Sequence, residues 1–113
     1  MLKKEILRNK QDFDSVYRRG KSIPDRYIVL FYKKNNLEYN RTAFLASKKV
    51  GNSVLRNRAK RLMKESYRNL CEELPIGYDF IFIARNTING RKYRDVSYSL
   101  YNALRRSKLI GKR

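Results

Sequence analysis

Residues 47–65 constrain this protein more than any other stretch, and they read SKKVGNSVLRNRAKRLMKE. The Gly51-Asn52 pair predicts a turn, and apolar residues then recur at helical spacing, so residues 51–53 are expected to cap a long helix that runs to about Glu73. Seven of the nineteen residues are Lys or Arg, and only Glu65 is acidic. Because a helix with so much charge of one sign repels itself, the stretch favours a partner that carries phosphates.

The predicted helix has an apolar stripe and a basic flank. The core-facing stripe is expected to consist of Leu55, Ala59, Leu62, Ser66 and Leu70. The flank carries, at i, i+4 spacing, Arg56, Lys60, Lys64 and Arg68, with Asn57 and Arg61 beside them. A solvated surface helix normally alternates the sign of its charges, and this one does not. The flank is therefore better explained by phosphate contacts, which Arg makes through its planar fork and Lys as a point charge.

The whole chain is strongly basic. It has 28 Lys and Arg against 10 Asp and Glu in 113 residues, a formal net charge of +18. Nucleic acid accounts for such an excess, since each neutralised phosphate releases condensed counterions. An anionic membrane surface would favour a basic amphipathic helix with Trp or Phe on its apolar side, and the chain has no Trp. The longest apolar stretch, 27–32, is too short to span a bilayer, so no membrane association is expected.

Length and cysteine content place the chain in a broad class. Residues 1–113 fit a single domain. The single Cys71 cannot form an internal disulfide, which suits a reducing compartment. No long apolar run follows the basic residues near Met1, so the sequence predicts a cytoplasmic protein.

The sequence lacks the residues of most protein active sites. It has no His, which excludes the usual Cys/His zinc sites and the Ser-His and Cys-His pairs of nucleophilic catalysis. Its five glycines form no phosphate-binding loop of the P-loop or dinucleotide type. Asp12 and Asp14 are two residues apart, which places them on different faces of a helix. We therefore expect no catalytic residue and no metal site in the protein itself.

The rest of the chain predicts helices and strands that build an α/β sandwich, with one sheet packed against helices. The expected elements are a helix at 9–19 capped by Asn9 and stopped by Gly20, a bend at 22–25, and strands at 27–33, 41–48 and 78–84, followed by a helix at 93–107. The polar turn at 34–40 should join an antiparallel strand pair. The basic tail at 108–113 is expected to fray.

Residues 48–61 resemble the signature of the bacterial ribonuclease P protein subunit, which runs roughly K-K-x-G-N-A-V-x-R-N-x-x-K-R-x-x-R-E. Two flanking segments resemble the same family: 12–20 matches its D-F-x-x-V-[FY]-x-x-G helix, and 79–85 matches its D-[FYI]-[IV]-x-I-A-R strand. The chain departs from the pattern at Ser53 (usually Ala), at Lys64 (usually Arg) and at 42–46, where the family usually has V-G-x-S-V.

The resemblance implies a fold and an activity. The implied element order is α-β-β-β-α-β-α with about four strands and a left-handed β-α-β crossover through the long helix, against the usual right-handed rule. The protein, a monomer on its own, would bind a large catalytic RNA and the precursor of tRNA. The complex would remove the 5′ leader by hydrolysis that depends on Mg²⁺, with the RNA subunit supplying the chemistry and using the metal.

The resemblance also implies residue roles. Signature positions expected to face the RNA subunit are Lys48, Lys49, Asn52, Arg56, Asn57, Arg58, Lys60, Arg61 and Lys64. Aromatic positions expected to line a cleft for the single-stranded leader are Phe13, Tyr17 and Phe31. Aromatic rings stack on unpaired bases in a sequence-tolerant way. Phe13 and Tyr17 also fit a helix stripe packed into the core, and the sequence leaves that alternative open.

Three other functions compete with this one. A ribosomal or other structural RNA-binding protein would explain the charge but not the signature. A DNA-binding module is disfavoured, because no helix-turn-helix spacing stands out. A protein nuclease would have to use Asp12, Asp14 and Asp79.

Overall fold

The computed structural model describes residues 1–111 and contains three helices and four strands. In chain order they are α1 (Lys10–Arg19), β1 (Lys21–Pro24), β2 (Ile28–Lys34), β3 (Arg41–Leu45), α2 (Ser53–Arg68), β4 (Tyr78–Ala84) and α3 (Tyr93–Arg106), with single 3₁₀ turns at Lys3–Glu5, Cys71–Glu73 and Asn86–Ile88. The element order α-β-β-β-α-β-α that the resemblance implied is confirmed. The bend expected at 22–25 is largely the short strand β1, which pairs with β2.

The sheet is mixed and has the strand order β1-β2-β4-β3. β2 runs antiparallel to β1 and β4, whereas β3 runs parallel to β4. The expected pairing of β2 with β3 across the turn at 34–40 is therefore wrong, because β4 lies between them. β4 is apolar on both faces. In the centre of the sheet, neighbouring strands also cover both of its edges, whereas at the edge of the sheet one of its edges would stay unpaired.

The parallel pair β3 and β4 is joined through α2, which forms the β-α-β crossover. A parallel pair needs such a long connection, since a tight turn can only reverse the chain. The handedness of this crossover stays a prediction.

The two faces of the sheet are covered unequally. α2 and α3 cover one face with a large core that includes Leu30, Phe80 and Phe82, all fully buried. The short helix α1 covers only part of the other face, where a small cluster consists of Leu7, Val16, Ala43 and Ile81. Because α1 is short, part of this second face stays open.

α2 turns a somewhat different face to the core than its sequence predicts. Its buried residues are Ala59, Met63, Ser66 and Tyr67. Leu55 is 36% exposed, so its place in the core stripe is wrong. Leu55 instead packs back on the preceding turn, where a Cβ at Gly51 would lie 2.6 Å from its Cδ1. The helix also ends at Arg68, and the chain reaches Glu73 through a 3₁₀ turn.

Both ends of the described chain are held in place. Leu7 is buried and its N–H donates to the carbonyl of Thr42, which attaches the N-terminal segment to the outer edge of β3. Ile110 is only 4% exposed, so the expected fraying is wrong for residues 108–110. The remainder of that basic tail, residues 112–113, lies outside the described residues.

Candidate nucleic-acid interface

The turn before α2 is fixed by its own hydrogen bonds. The Asn52 side chain caps the helix, because its Oδ1 accepts from the backbone N–H of Leu55 at 3.0 Å. The Nδ2 of Asn89 donates to the carbonyl of Val50 at 2.6 Å and ties the turn to the loop after β4. Lys48 and Lys49 are exposed on this rigid turn. The cap expected at 51–53 is therefore confirmed, and Asn52 is the residue that provides it.

The predicted RNA-facing residues of α2 divide into two groups. Asn57, Lys60, Arg61 and Lys64 are exposed and line one continuous groove. Arg56 and Arg58 are half-buried and do not line this groove, and the Nη2 of Arg58 donates to the carbonyl of Arg91 at 2.6 Å. The guanidinium of Arg58 is therefore committed to the loop before α3, on another side of the helix from the groove.

The groove runs along the outer edge of β3 and has a volume of about 520 Å³. Its floor is apolar and is formed by Ala43, Phe44 and Leu45. One wall is the basic flank of α2, and the opposite wall includes Leu7 and Phe13. A groove with one cationic wall, an apolar floor and an aromatic side chain suits an unpaired polynucleotide, which presents phosphates on one side and bases on the other.

A second cavity of about 470 Å³ continues the groove, and the two share Met1, Thr42 and Lys64. Its lining is no longer uniformly basic, since it includes Glu5, Glu38 and Glu72. The positive potential is therefore concentrated on the first cavity. Tyr67 forms part of the second one, where burial raises the pKa of its phenol to about 12.

The three predicted leader-binding aromatics form one contiguous cluster on the α1 side of the sheet. The ring centroids of Phe13 and Tyr17 are 6.4 Å apart, and those of Tyr17 and Phe31 are 5.0 Å apart in an edge-to-face arrangement. Phe13 lines the groove, and Tyr17 and Phe31 adjoin the groove only through their ring contacts with Phe13 and with each other. Tyr17 is 41% exposed, whereas Val16 is the only fully buried residue of α1. Core packing thus accounts for Val16 and leaves much of the Tyr17 ring accessible.

The family profile described as Ribonuclease P matches residues 1–108. The chain belongs to the ribonuclease P protein family. Its members are subunits of ribonuclease P, the endoribonuclease ribonucleoprotein that processes the 5′ end of tRNA.

Individual ribonuclease P proteins agree with this assignment. The ribonuclease P protein component of Clostridium botulinum is 50% identical over 107 residues, which cover 94% of this chain and 96% of that one. A mutant of the Staphylococcus aureus RNase P protein, described as defective in mRNA degradation activity, superposes with a TM-score of 0.88 at 28% identity and covers 96% of this chain and 92% of that chain. The RNase P protein of Thermotoga maritima gives a TM-score of 0.81 at 30% identity, with coverage of 90% and 96%.

A network of charged side chains that the sequence analysis missed lies next to the groove. Arg41 donates to both carboxylate oxygens of Asp79, from Nε and Nη2, at 2.8 Å each, and its Nη1 donates to Asp12 at 2.9 Å. Hydrogen bonding to Asp79 raises the pKa of Arg41 above its ordinary value. Asn35 completes the network by donating to Asp79 at 2.9 Å. The only sequence signal was the presence of Asp12 and Asp79 at the first positions of two ribonuclease P motifs.

Within residues 1–111, no group of three or more Cys, Asp or Glu side chains is arranged to hold a metal ion. None of the helices described is long and apolar enough to cross a membrane.

Proposed function

We propose that this ribonuclease P protein contacts the RNA subunit through the turn at 48–52 and the basic flank of α2, and that it holds the 5′ leader of precursor tRNA in the adjoining groove. The observation that carries the proposal is the groove itself. Its basic wall and the opposite wall with Phe13 face one another across one edge strand.

The groove offers different chemistry at its two walls. Phosphates of the RNA subunit would lie along Lys60, Arg61 and Lys64, where condensed counterions are released on binding. Bases of the leader would lie at the opposite wall and stack on Phe13 and Tyr17, whose rings accept any base. Phosphates are not expected in the second cavity, because its lining includes carboxylates.

We assign the hydrolytic step to the RNA subunit and to Mg²⁺ held by RNA and substrate phosphates, and no catalytic group to the protein. The protein would supply a positive field that reduces phosphate repulsion between RNA subunit and substrate, together with positioning of the leader. We further propose that the free protein is a monomer and that the complex works in the cytoplasm, where a lone thiol such as Cys71 stays reduced.

A cleavage assay with and without the cognate RNA subunit tests the proposal. The protein purified free of RNA should leave precursor tRNA intact, and the RNA subunit alone should cut it at high Mg²⁺. Protein added to the RNA subunit should restore cutting at the mature 5′ end at low Mg²⁺. Cleavage by the repurified protein alone would instead indicate a protein nuclease, and no effect of the protein would indicate a structural RNA-binding role. An mRNA substrate belongs in the same assay, given the activity named for the Staphylococcus aureus protein.

A further inference from the structure

We propose that the ion pair between Asp12 and Arg41 positions the leader wall of the groove, so that Asp12 is a positioning residue for leader binding although it need not touch the RNA. The inference rests on the proposed function, because it assumes that the leader occupies the groove. It starts from the way in which α1 is attached to the sheet.

The attachment of α1 differs between its two ends. At its C-terminal end, Gly20 lies so close to the sheet that a Cβ there would lie 2.6 Å from the carbonyl oxygen of Tyr32 on β2. Val16, near this end, is the only fully buried residue of the helix. The C-terminal end is therefore fixed by close packing.

The N-terminal end of α1 is attached differently. Asp12 lies in its first turn and accepts from Nη1 of Arg41 at 2.9 Å. Arg41 is itself held rigidly, because its other two nitrogens form a bidentate pair with the buried carboxylate of Asp79 on β4. Asp12 thus connects the first turn of α1 to a fixed point of the sheet.

The consequence concerns Phe13, which follows Asp12 in the chain and lines the groove. The opposite wall belongs to α2, which the main core holds through residues such as Met63. One wall is fixed by that core, whereas Phe13 in the other wall is only half-buried against the small cluster on the α1 side, and its place depends on the first turn of α1. Loss of the Asp12–Arg41 pair should therefore let Phe13 move and should weaken leader binding without disturbing the basic flank.

The chain offers a matched control for this test. Asp14 lies on the same helix, and within residues 1–111 it makes no side-chain hydrogen bond or ion pair. The substitutions Asp12→Asn and Asp14→Asn each remove one negative charge from a protein of formal charge +18, so their general effect on RNA affinity should be similar and favourable. Asp12→Asn also leaves the pair of Arg41 with Asp79 intact, so no buried carboxylate loses its partner.

The measurement is the ratio of holoenzyme affinities for precursor tRNA and for mature tRNA, which has no leader. We expect Asp12→Asn to reduce this ratio about two- to fivefold, because it removes the charge of the pair, and Asp14→Asn to leave it unchanged. Affinity for the RNA subunit should not fall in either variant. Titration with RNA subunit gives the active fraction of each preparation, so partial unfolding is corrected for.

A double-mutant cycle separates positioning from a general loss of stability. If Asp12 acts through Phe13, then the double variant Asp12→Asn, Phe13→Ala should have the same ratio of precursor to mature tRNA affinity as Phe13→Ala alone. Additive losses, or equal ratios for Asp12→Asn and Asp14→Asn, would overturn the inference. A wild-type protein that does not distinguish precursor from mature tRNA would instead overturn the proposed function.

Discussion

At the scale of single residues, Asp25 shows how one carboxylate joins distant parts of the chain. It accepts hydrogen bonds from Ser99 at 2.5 Å, from Asn102 at 2.8 Å and from Arg106 at 2.8 Å, which attaches α3 to the turn between β1 and β2. Burial alone would raise the pKa of Asp25, but these hydrogen bonds outweigh it and lower that pKa below the ordinary 3.8. The folded state therefore favours the ionised carboxylate.

The lowered pKa of Asp25 predicts an acid-sensitive contribution to stability. Its contribution is fully present above the ordinary pKa of 3.8 and is lost as the pH falls through the lowered value. Asp25→Asn should reduce the free energy of unfolding at neutral pH by about 1–3 kcal/mol. Urea unfolding from pH 7 to pH 2 checks this, since the difference between wild type and variant should shrink as the pH falls below 3.8. A constant difference would mean that the charge of Asp25 is not involved.

Tyr17 carries the residue-scale prediction for the leader. Tyr17→Ala should weaken binding of precursor tRNA by about 1–3 kcal/mol. Binding of mature tRNA should be nearly unaffected, because mature tRNA lacks the leader whose bases would stack on the ring. Tyr17→Phe keeps the ring and should bind as wild type does. Equal losses for both RNAs, or a large fall in melting temperature for Tyr17→Ala, would show that Tyr17 is a core residue.

At the scale of elements, α2 (Ser53–Arg68) combines a core face with a basic flank, and Asn52 caps its first turn. Its sequence predicted these features, but two residues differ from the expected pattern. Leu55 is exposed, and Arg58 is held by the carbonyl of Arg91. These two deviations arise from contacts with the turn at Gly51 and with the loop before α3, neither of which helical periodicity can represent.

The flank of α2 predicts a pattern of salt dependence. Lys60→Ala and Arg61→Ala should each reduce the slope of log affinity against log salt for the RNA subunit by about 0.7–0.9, since each removes one phosphate contact. Arg58→Ala removes the same charge from the same helix but not from the groove, and should leave the slope nearly unchanged. A slope that changed equally in all three variants would mean that only net charge matters.

The cap of α2 predicts that Asn52 has two separable roles. Asn52→Ala should lower the free energy of unfolding by about 1 kcal/mol, because the N–H of Leu55 loses its acceptor. Asn52→Asp restores the cap and should restore stability, while its negative charge weakens affinity for the RNA subunit. If Asn52→Asp bound RNA as well as wild type, Asn52 would have only its structural role. Thermal unfolding and filter binding on the same preparations measure the two effects.

At the scale of the whole molecule, charge and fold cooperate. The formal charge of +18 would attract any polyanion, and the sheet gives that attraction a direction by placing the basic flank of α2 opposite Phe13 across the edge strand β3. We therefore expect the protein to lower the Mg²⁺ concentration at which the RNA subunit binds and cleaves precursor tRNA. Cleavage rates measured over a Mg²⁺ series should differ most at low Mg²⁺, and an equal gain at all concentrations would contradict a screening role.

The sequence by itself determined the local features of this protein. It predicted α1 between its Asn9 cap and Gly20, the start of α2 after Asn52, the strand at 78–84, and the membership of the ribonuclease P protein family. Each depends on neighbouring residues: a cap, a turn, an apolar periodicity or a contiguous signature. The excess of positive charge also needs no structure to be recognised.

Only the tertiary structure decided which distant segments meet. β4, the most apolar strand, lies between β2 and β3, where both of its faces and both of its edges are covered. Whether a strand is covered in this way depends on the complete sheet and not on the strand's own residues. The bridge of Arg41 to Asp12 and Asp79 joins residues 29 and 38 positions apart, and neither spacing leaves a periodic signal. The groove exists because α1 is too short to cover its face of the sheet, so that the edge strand β3 lies between an aromatic wall and a basic wall.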